Sequence, residues 1–134
     1  MIVIFTVEGN PKDPKGNAVP KLKMTGRQHW TPKAQNYVAW KKTVASACSR
    51  ELDRLGVYAD WYDRFAEVKP IQTGKEKIRM DIMIRWKNHA HGDPENIYGS
   101  LADAIFKQDK YLAGSFDFEE KPTGAGEVEI KITI

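Results

Sequence analysis

Apolar and polar residues alternate along some stretches of this chain and recur at helical spacing along others. Met1–Val7 (MIVIFTV) is strongly apolar and reads as a strand. Thr31-Pro32 is a helix start, Thr as N-cap and Pro in the first turn. Ala34, Tyr37, Val38, Val44, Ala45, Cys48, Leu52 and Leu55 then follow at three-and-four spacing until Gly56 closes the helix. Tyr58, Trp61, Tyr62 and Phe65 form an i, i+3, i+4, i+7 set that predicts a short second helix. Packing explains these aromatics better than base stacking does.

Strict alternation returns in Lys77–Lys87. Ile78, Met80, Ile82, Ile84 and Trp86 share one face, and Lys77, Arg79, Asp81, Arg85 and Lys87 the other, with Met83 the exception. Ile97, Leu101, Ala104 and Ile105 mark a further helix over about 93–106. Leu112–Phe118 is expected to pair as a hairpin with the stretch carrying Val128, Ile130, Ile132 and Ile134. Thr123-Gly124-Ala125-Gly126 would supply the turn. The order is strand, loop, helices, strand, helix, strand, strand. It predicts an α+β fold, one compact domain over 1–134 with a small mixed sheet and helices packed on one face. A doubly wound nucleotide-binding fold would need more alternating units and a glycine loop after a strand, and the chain has neither.

Asn10–Pro32 lacks both periods. Its Pro, Gly and Asn residues and its cations Lys12, Lys15, Lys21, Lys23 and Arg27 predict a long basic loop. Loops of this length are usually functional or disordered, and a solvated charged loop is the plain alternative.

Composition adds limits. The 134 residues are 41% hydrophobic and 29% charged, a globular balance in one domain's length. No apolar run reaches the roughly 20 residues that span a bilayer, and the opening stretch lacks the basic lead and small-residue cleavage site of a signal peptide. A single cysteine, Cys48, excludes an internal disulfide framework and a cysteine-rich zinc site, and a reducing cytoplasm is the expected setting. Cys48 lies on the apolar stripe of its helix, as a buried structural thiol rather than a nucleophile. The net charge of +3 divides unevenly. Residues 1–50 hold nine Lys/Arg against Glu8 and Asp13, giving +7, and residues 51–134 sum to −4. One surface suited to a polyanion and another suited to cations would produce this asymmetry.

The densest chemistry is His89-Ala-His91-Gly92-Asp93-Pro94-Glu95-Asn96, where strand meets helix. Helix capping explains its acids alone: Asp93 is a natural N-cap, Pro94 a first-turn residue, and Glu95 a carboxylate favoured by the helix dipole. The functional alternative is a hard-cation site. Mg²⁺ takes one or two carboxylates, water and substrate oxygens. Asp93 and Glu95 sit two residues apart at a bend, and Asp109, beyond the helix, could return beside them. Asp103 lies about 15 Å along the helix from Asp93, so it is expected to be a structural or dimer-contact acid. A transition-metal site on His89 and His91 lacks a third His or Cys ligand beyond the remote His29.

At this junction the sequence resembles the RusA family of Holliday-junction resolvases, small endonucleases of bacteria and their phages. The resemblance rests on Gly92-Asp93-Pro94-Glu95-Asn96, then Leu101-Ala102-Asp103-Ala104-Ile105, then Lys107-Gln108-Asp109-Lys110-Tyr111. Gly9-Asn10-Pro11-Lys12, the basic loop and Tyr37–Lys42 match more loosely, while the element order is compatible over nearly the whole chain. The resemblance implies a homodimer that resolves four-way DNA by paired symmetric nicks, in recombination and repair. It implies Mg²⁺, with Mn²⁺ as a substitute, held by Asp93, Glu95 and Asp109. It further implies backbone contacts from Lys12, Lys15, Lys21, Lys23, Arg27 and the Lys77–Lys87 face, and needs no nucleotide cofactor and no membrane. Two positions depart from the family pattern. Glu95 stands where Asp is usual, and Gly99 where a lysine is usual; Lys107 or Lys110, beside Asp109, is the expected substitute. The alternatives are a branched-DNA-binding protein without catalysis and a less selective metal-dependent nuclease acting on other DNA or RNA.

Overall fold

The computed structural model describes residues 1–9, 16–22, 31–58, 61, 78–110 and 112–134. Lys12, Lys15, Lys23, Arg27, His29, Tyr62, Phe65, Lys77 and Tyr111, all named above, lie outside the described residues.

Strands β1 (Ile2–Glu8), β2 (Arg79–Arg85), β3 (Ala113–Phe118) and β4 (Glu127–Thr133) form one mixed sheet in the order β1-β4-β2-β3. β4 runs antiparallel to both β1 and β2, and β3 runs parallel to β2. Helices α1 (Pro32–Leu55) and α2 (Pro94–Ile105) pack against the sheet and against each other. The fold is therefore the α+β class expected, a small single-domain mixed sheet with two helices. No helix among the described residues is long and apolar enough to cross a membrane.

The period-two pattern fixes the faces. Val3, Ile132, Met80 and Gly114 form one cross-sheet row, Phe5, Ile130, Ile82 and Phe116 the next, and Val7, Val128, Ile84 and Phe118 the third. Most of these apolar residues are buried beneath the helices with Tyr37, Trp40, Val44 and Leu52 of α1 and Ile97 and Leu101 of α2. The caps follow the local chemistry. Thr31 accepts a hydrogen bond from the Ala34 amide at 3.1 Å, and Gly56 ends α1 in the left-handed region at φ 73°. Cys48 is buried in α1, and burial pushes its thiol up to about 12, as an inert structural group requires. Trp61 is buried and meets the Phe106 ring at 5.8 Å between centroids, so this aromatic packs.

The expected hairpin does not form. β2 stands between β3 and β4, and β2-α2-β3 is a parallel crossover unit. Alternation shows which side chains share a face, but not which strands are neighbours. Val128, Ile130 and Ile132 of the central β4 are completely buried, while β3, at the edge, is exposed from Gly114 to Phe118. The connection between β3 and β4 passes over the end of β2. There the Trp86 indole N–H donates to the Glu119 carbonyl at 2.9 Å, and the Gly124 amide donates to the Trp86 carbonyl at 3.1 Å.

Candidate functional site

The chain leaves β2 through residues 86–92, and a buried asparagine holds this segment. The Asn17 side-chain oxygen accepts from the Lys87 amide at 2.7 Å. Its Nδ2 donates to the Asn88 Oδ1 at 2.9 Å and the Ala90 carbonyl at 3.2 Å. Asn17 is 3% exposed, so its amide group takes the place of water for two backbone groups and one side chain. His91 lies flat on Trp86, with centroids 3.7 Å apart and planes 9° apart, and its Nδ1 is 3.0 Å from the Gly92 carbonyl oxygen. Gly92 has no room for a side chain, because a Cβ there would stand 2.8 Å from Pro20 Cγ.

Asp93 follows in extended conformation and caps α2, its Oδ1 accepting from the Glu95 amide at 2.8 Å. Asp93 and Glu95 are both exposed on the first turn. The second Asp93 oxygen takes no part in the cap. Lys21 is tied to the same turn, since its amide donates to the Asn96 carbonyl at 2.8 Å. Its side chain runs over Gly99, where an added Cβ would lie 3.4 Å from Lys21 Cδ. A cation from residues 16–22 thus crosses the α2 face at the helix position that lacks one.

Asp103, expected to be a structural or dimer-contact acid, ties α2 to α1. It accepts from the Tyr37 hydroxyl at 2.9 Å and from Lys41 Nζ at 3.1 Å. Partial burial opposes its charge, yet the hydrogen bonds from Tyr37 and Lys41 outweigh this and hold the carboxyl below its ordinary value. Asp109 is exposed before β3, its carbonyl accepting from the Leu112 amide at 3.0 Å. It lies near enough to Tyr98 to act on its hydroxyl. Burial first, then the charge of Asp81, pushes that group up to about 12, and Asp109 adds to the rise. Lys107 and Lys110 are exposed on either side of Asp109.

Asp93 and Glu95 therefore share a helical turn, whereas Asp109 is not gathered with them. Among the described residues no three His, Cys, Asp or Glu side chains are grouped so as to hold a metal ion. Asp93 and Glu95 are two exposed carboxylates on one turn, the donor type that a hard cation takes when water and substrate oxygens complete its shell. His89 and His91 likewise gather no third ligand among the described residues.

The cations of β2 do not form a free face. Arg79 donates to Asp81 at 3.1 Å, and Arg85 sits within 3.4 Å of Glu127 and 3.9 Å of both Glu119 and Glu129. Asp81 lies on the same face of β2, whereas the acids around Arg85 come from outside the strand, Glu127 and Glu129 from the neighbouring β4 and Glu119 from just beyond β3. Beside the carboxylate pair, a cleft of about 710 Å³ opens between Ala18–Leu22, the first turns of α1 and Ala90–Gly92, with Pro20, Lys33, Asn36 and His91 on its walls. Compared with models of known protein families and with curated proteins, the chain matches none.

Asn17 is the site residue that sequence reasoning missed. It stands among Pro, Gly and Lys residues, where an asparagine reads as turn chemistry. The available signal is the apolar pair Ala18-Val19 after it, which marks a short buried anchor within the basic stretch.

Proposed function

We propose that this protein is a Mg²⁺-dependent, structure-selective DNA endonuclease that acts as a homodimer on four-way junctions, cutting two strands symmetrically. The observation that carries this reading is the exposed Asp93–Glu95 pair on the first turn of α2, held by the Asn17-pinned segment, with Lys21 tied to the same turn. The sequence resemblance at residues 92–111 supports it.

In the reaction, water attacks phosphorus in line and the bond to the 3′-oxygen breaks, leaving a 5′-phosphate and a 3′-hydroxyl. A bound Mg²⁺ supplies charge neutralisation at the scissile phosphate and a more acidic water. Asp93 and Glu95 would hold it in this reading, and Asp109 is the third carboxylate that the sequence resemblance implies. Lys21, Lys107 and Lys110, with Lys12, Lys15, Lys23 and Arg27, contact backbone phosphates, a mode that positions DNA without reading its sequence.

Asp93→Asn is the decisive variant, because asparagine caps a helix as well as aspartate does. The variant is expected to keep the wild-type melting temperature and junction binding while losing cleavage of a synthetic four-way junction in Mg²⁺. Unchanged cleavage would remove Asp93 from the site. A second reading, junction binding without cleavage, is favoured by the separation of Asp109 from the pair and by Gly99. A wild-type protein that binds the junction but cuts it in neither Mg²⁺ nor Mn²⁺ would establish it.

A further inference from the structure

We propose that the open edge of β3 pairs with β3 of a second copy, antiparallel, across a two-fold axis at Phe116. The proposal rests on the dimeric part of the function above and specifies its interface; it does not depend on the nuclease chemistry.

Among the described residues β3 has a neighbour on one side only. Ala113 donates its amide to Ile78 and Glu119 to Ile84, so the odd-numbered residues turn their backbone groups toward β2. Gly114, Phe116 and Phe118 consequently turn theirs outward, and an unpaired row of this kind is a template for another strand. The Phe118 amide meets the neighbouring Asp117 carboxylate at 2.8 Å instead of a ladder carbonyl. On the helix side of this edge, Phe116 and Phe118 remain 42% and 44% exposed although they share rows with the buried Ile82 and Ile84. The helical layer ends before it covers them.

Antiparallel pairing across a two-fold must set outward-facing residues opposite one another. Of the registers that do so, three keep Phe116 paired within β3. An axis at Asp117 places two carboxylates face to face, and like charges directly opposite are unfavourable. An axis at Ser115 leaves Asp117 opposite Ala113 of the partner subunit and moves Phe118 beyond the strand. With the axis at Phe116, each requirement is met. The Phe116 rings face each other, Phe118 lies over Gly114 of the partner subunit, which has no side chain of its own and carries the Tyr98 phenol beside it, and Asp117 faces Ser115 of the partner subunit, a hydroxyl rather than a charge. Tyr98, tilted against Phe116 at 6.3 Å, extends the apolar contact.

Cysteine cross-linking reads this register. Residues paired at the axis stand about 5.5 Å apart at Cα, within disulfide reach. The two Phe118 positions are about 13 Å apart along the strands, out of reach. Wild-type protein is expected to sediment at twice 15.3 kDa. Under mild oxidation Phe116→Cys should become a covalent dimer, while Phe118→Cys and the wild type, whose Cys48 is buried, should not. If Phe116→Cys fails to fold by circular dichroism, the Ser115→Cys, Asp117→Cys double variant tests the same axis, because those positions face each other. A monomeric wild type, or a dimer in which Phe118→Cys links as readily as Phe116→Cys, would overturn the interface. Junction cleavage separates the two readings. A monomer that cuts overturns the interface alone, and a dimer that links through the F116C site but does not cut overturns the nuclease reading alone.

Discussion

Gly114 shows how little room single positions can leave. Its φ of 148° lies where side chains are rarely found, and a Cβ would stand 1.8 Å from the Met80 carbonyl oxygen and 2.6 Å from the Tyr98 hydroxyl. The phenol fills this spot instead, donating to the Met80 carbonyl at 2.8 Å. Gly114→Ala is expected to cost roughly 3 kcal/mol, from backbone strain and overpacking together. Urea denaturation checks this; a loss below about 1 kcal/mol would mean that β3 shifts without strain. Cys48 gives a test in pH. Its folded value, about 12, lies above the ordinary value of 9.0, so its contribution is complete below pH 9 and is lost as pH rises from 9 toward 12. A thiol reagent at pH 8 should react only as fast as the protein unfolds, and Cys48→Ala should flatten the decline in stability above pH 9. The candidate site divides at this scale too. Asp93 and Glu95 were legible in the sequence because a cap and its first turn are local chemistry. The anchoring by Asn17 was not, because its partners lie some 70 residues away in the chain.

Between elements, the contact of α1 with α2 turns on one polar pair inside an apolar core. The Trp40 indole N–H donates to Ser100 Oγ at 3.1 Å, and that hydroxyl donates to the Ile97 carbonyl at 2.8 Å, all of it buried. Ser100→Ala strands the indole donor and should lower stability by about 1–3 kcal/mol. At this chain length that is a melting-temperature decrease of about 4 °C per kcal/mol. A change within error would show that the N–H finds another acceptor. Element type and limits were mostly legible, since Thr31, Gly56 and Asp93 act within their own turns and the alternation in β1, β2 and β4 depends only on the next residue. Strand order was not. Whether Ala113–Phe118 lies beside β4 or β2 depends on contacts between residues far apart in the chain, which alternation along one strand does not encode.

Over the whole molecule, the uneven charge has a structural counterpart. Arg54 meets Glu51, Arg79 meets Asp81, and Arg85 meets Glu119, Glu127 and Glu129, so these cations are matched by acids of the same acidic part of the chain. The excess of the first 50 residues is carried elsewhere, partly by Lys21 at α2 and Lys33 at the cleft beside the candidate site. A polyanion would be drawn to that side of the protein.

The place of β4 has a consequence for the order in which the protein can take shape. β1 is synthesised first, yet among the described residues its only ladder partner is β4, and Ile2 pairs with Thr133. While a ribosome works through the intervening chain, the β2-α2-β3 unit has the local contacts to assemble, but β1 has no strand to join. α1 can meet the apolar face of β1 earlier, but the backbone edge of β1 must wait until residues 127–133 have been made and have slotted between β1 and β2. Contacts of such separation slow folding and prolong the exposure of sticky strands. The sheet closes late and from the middle, so its last-made strand decides whether the first one is used at all.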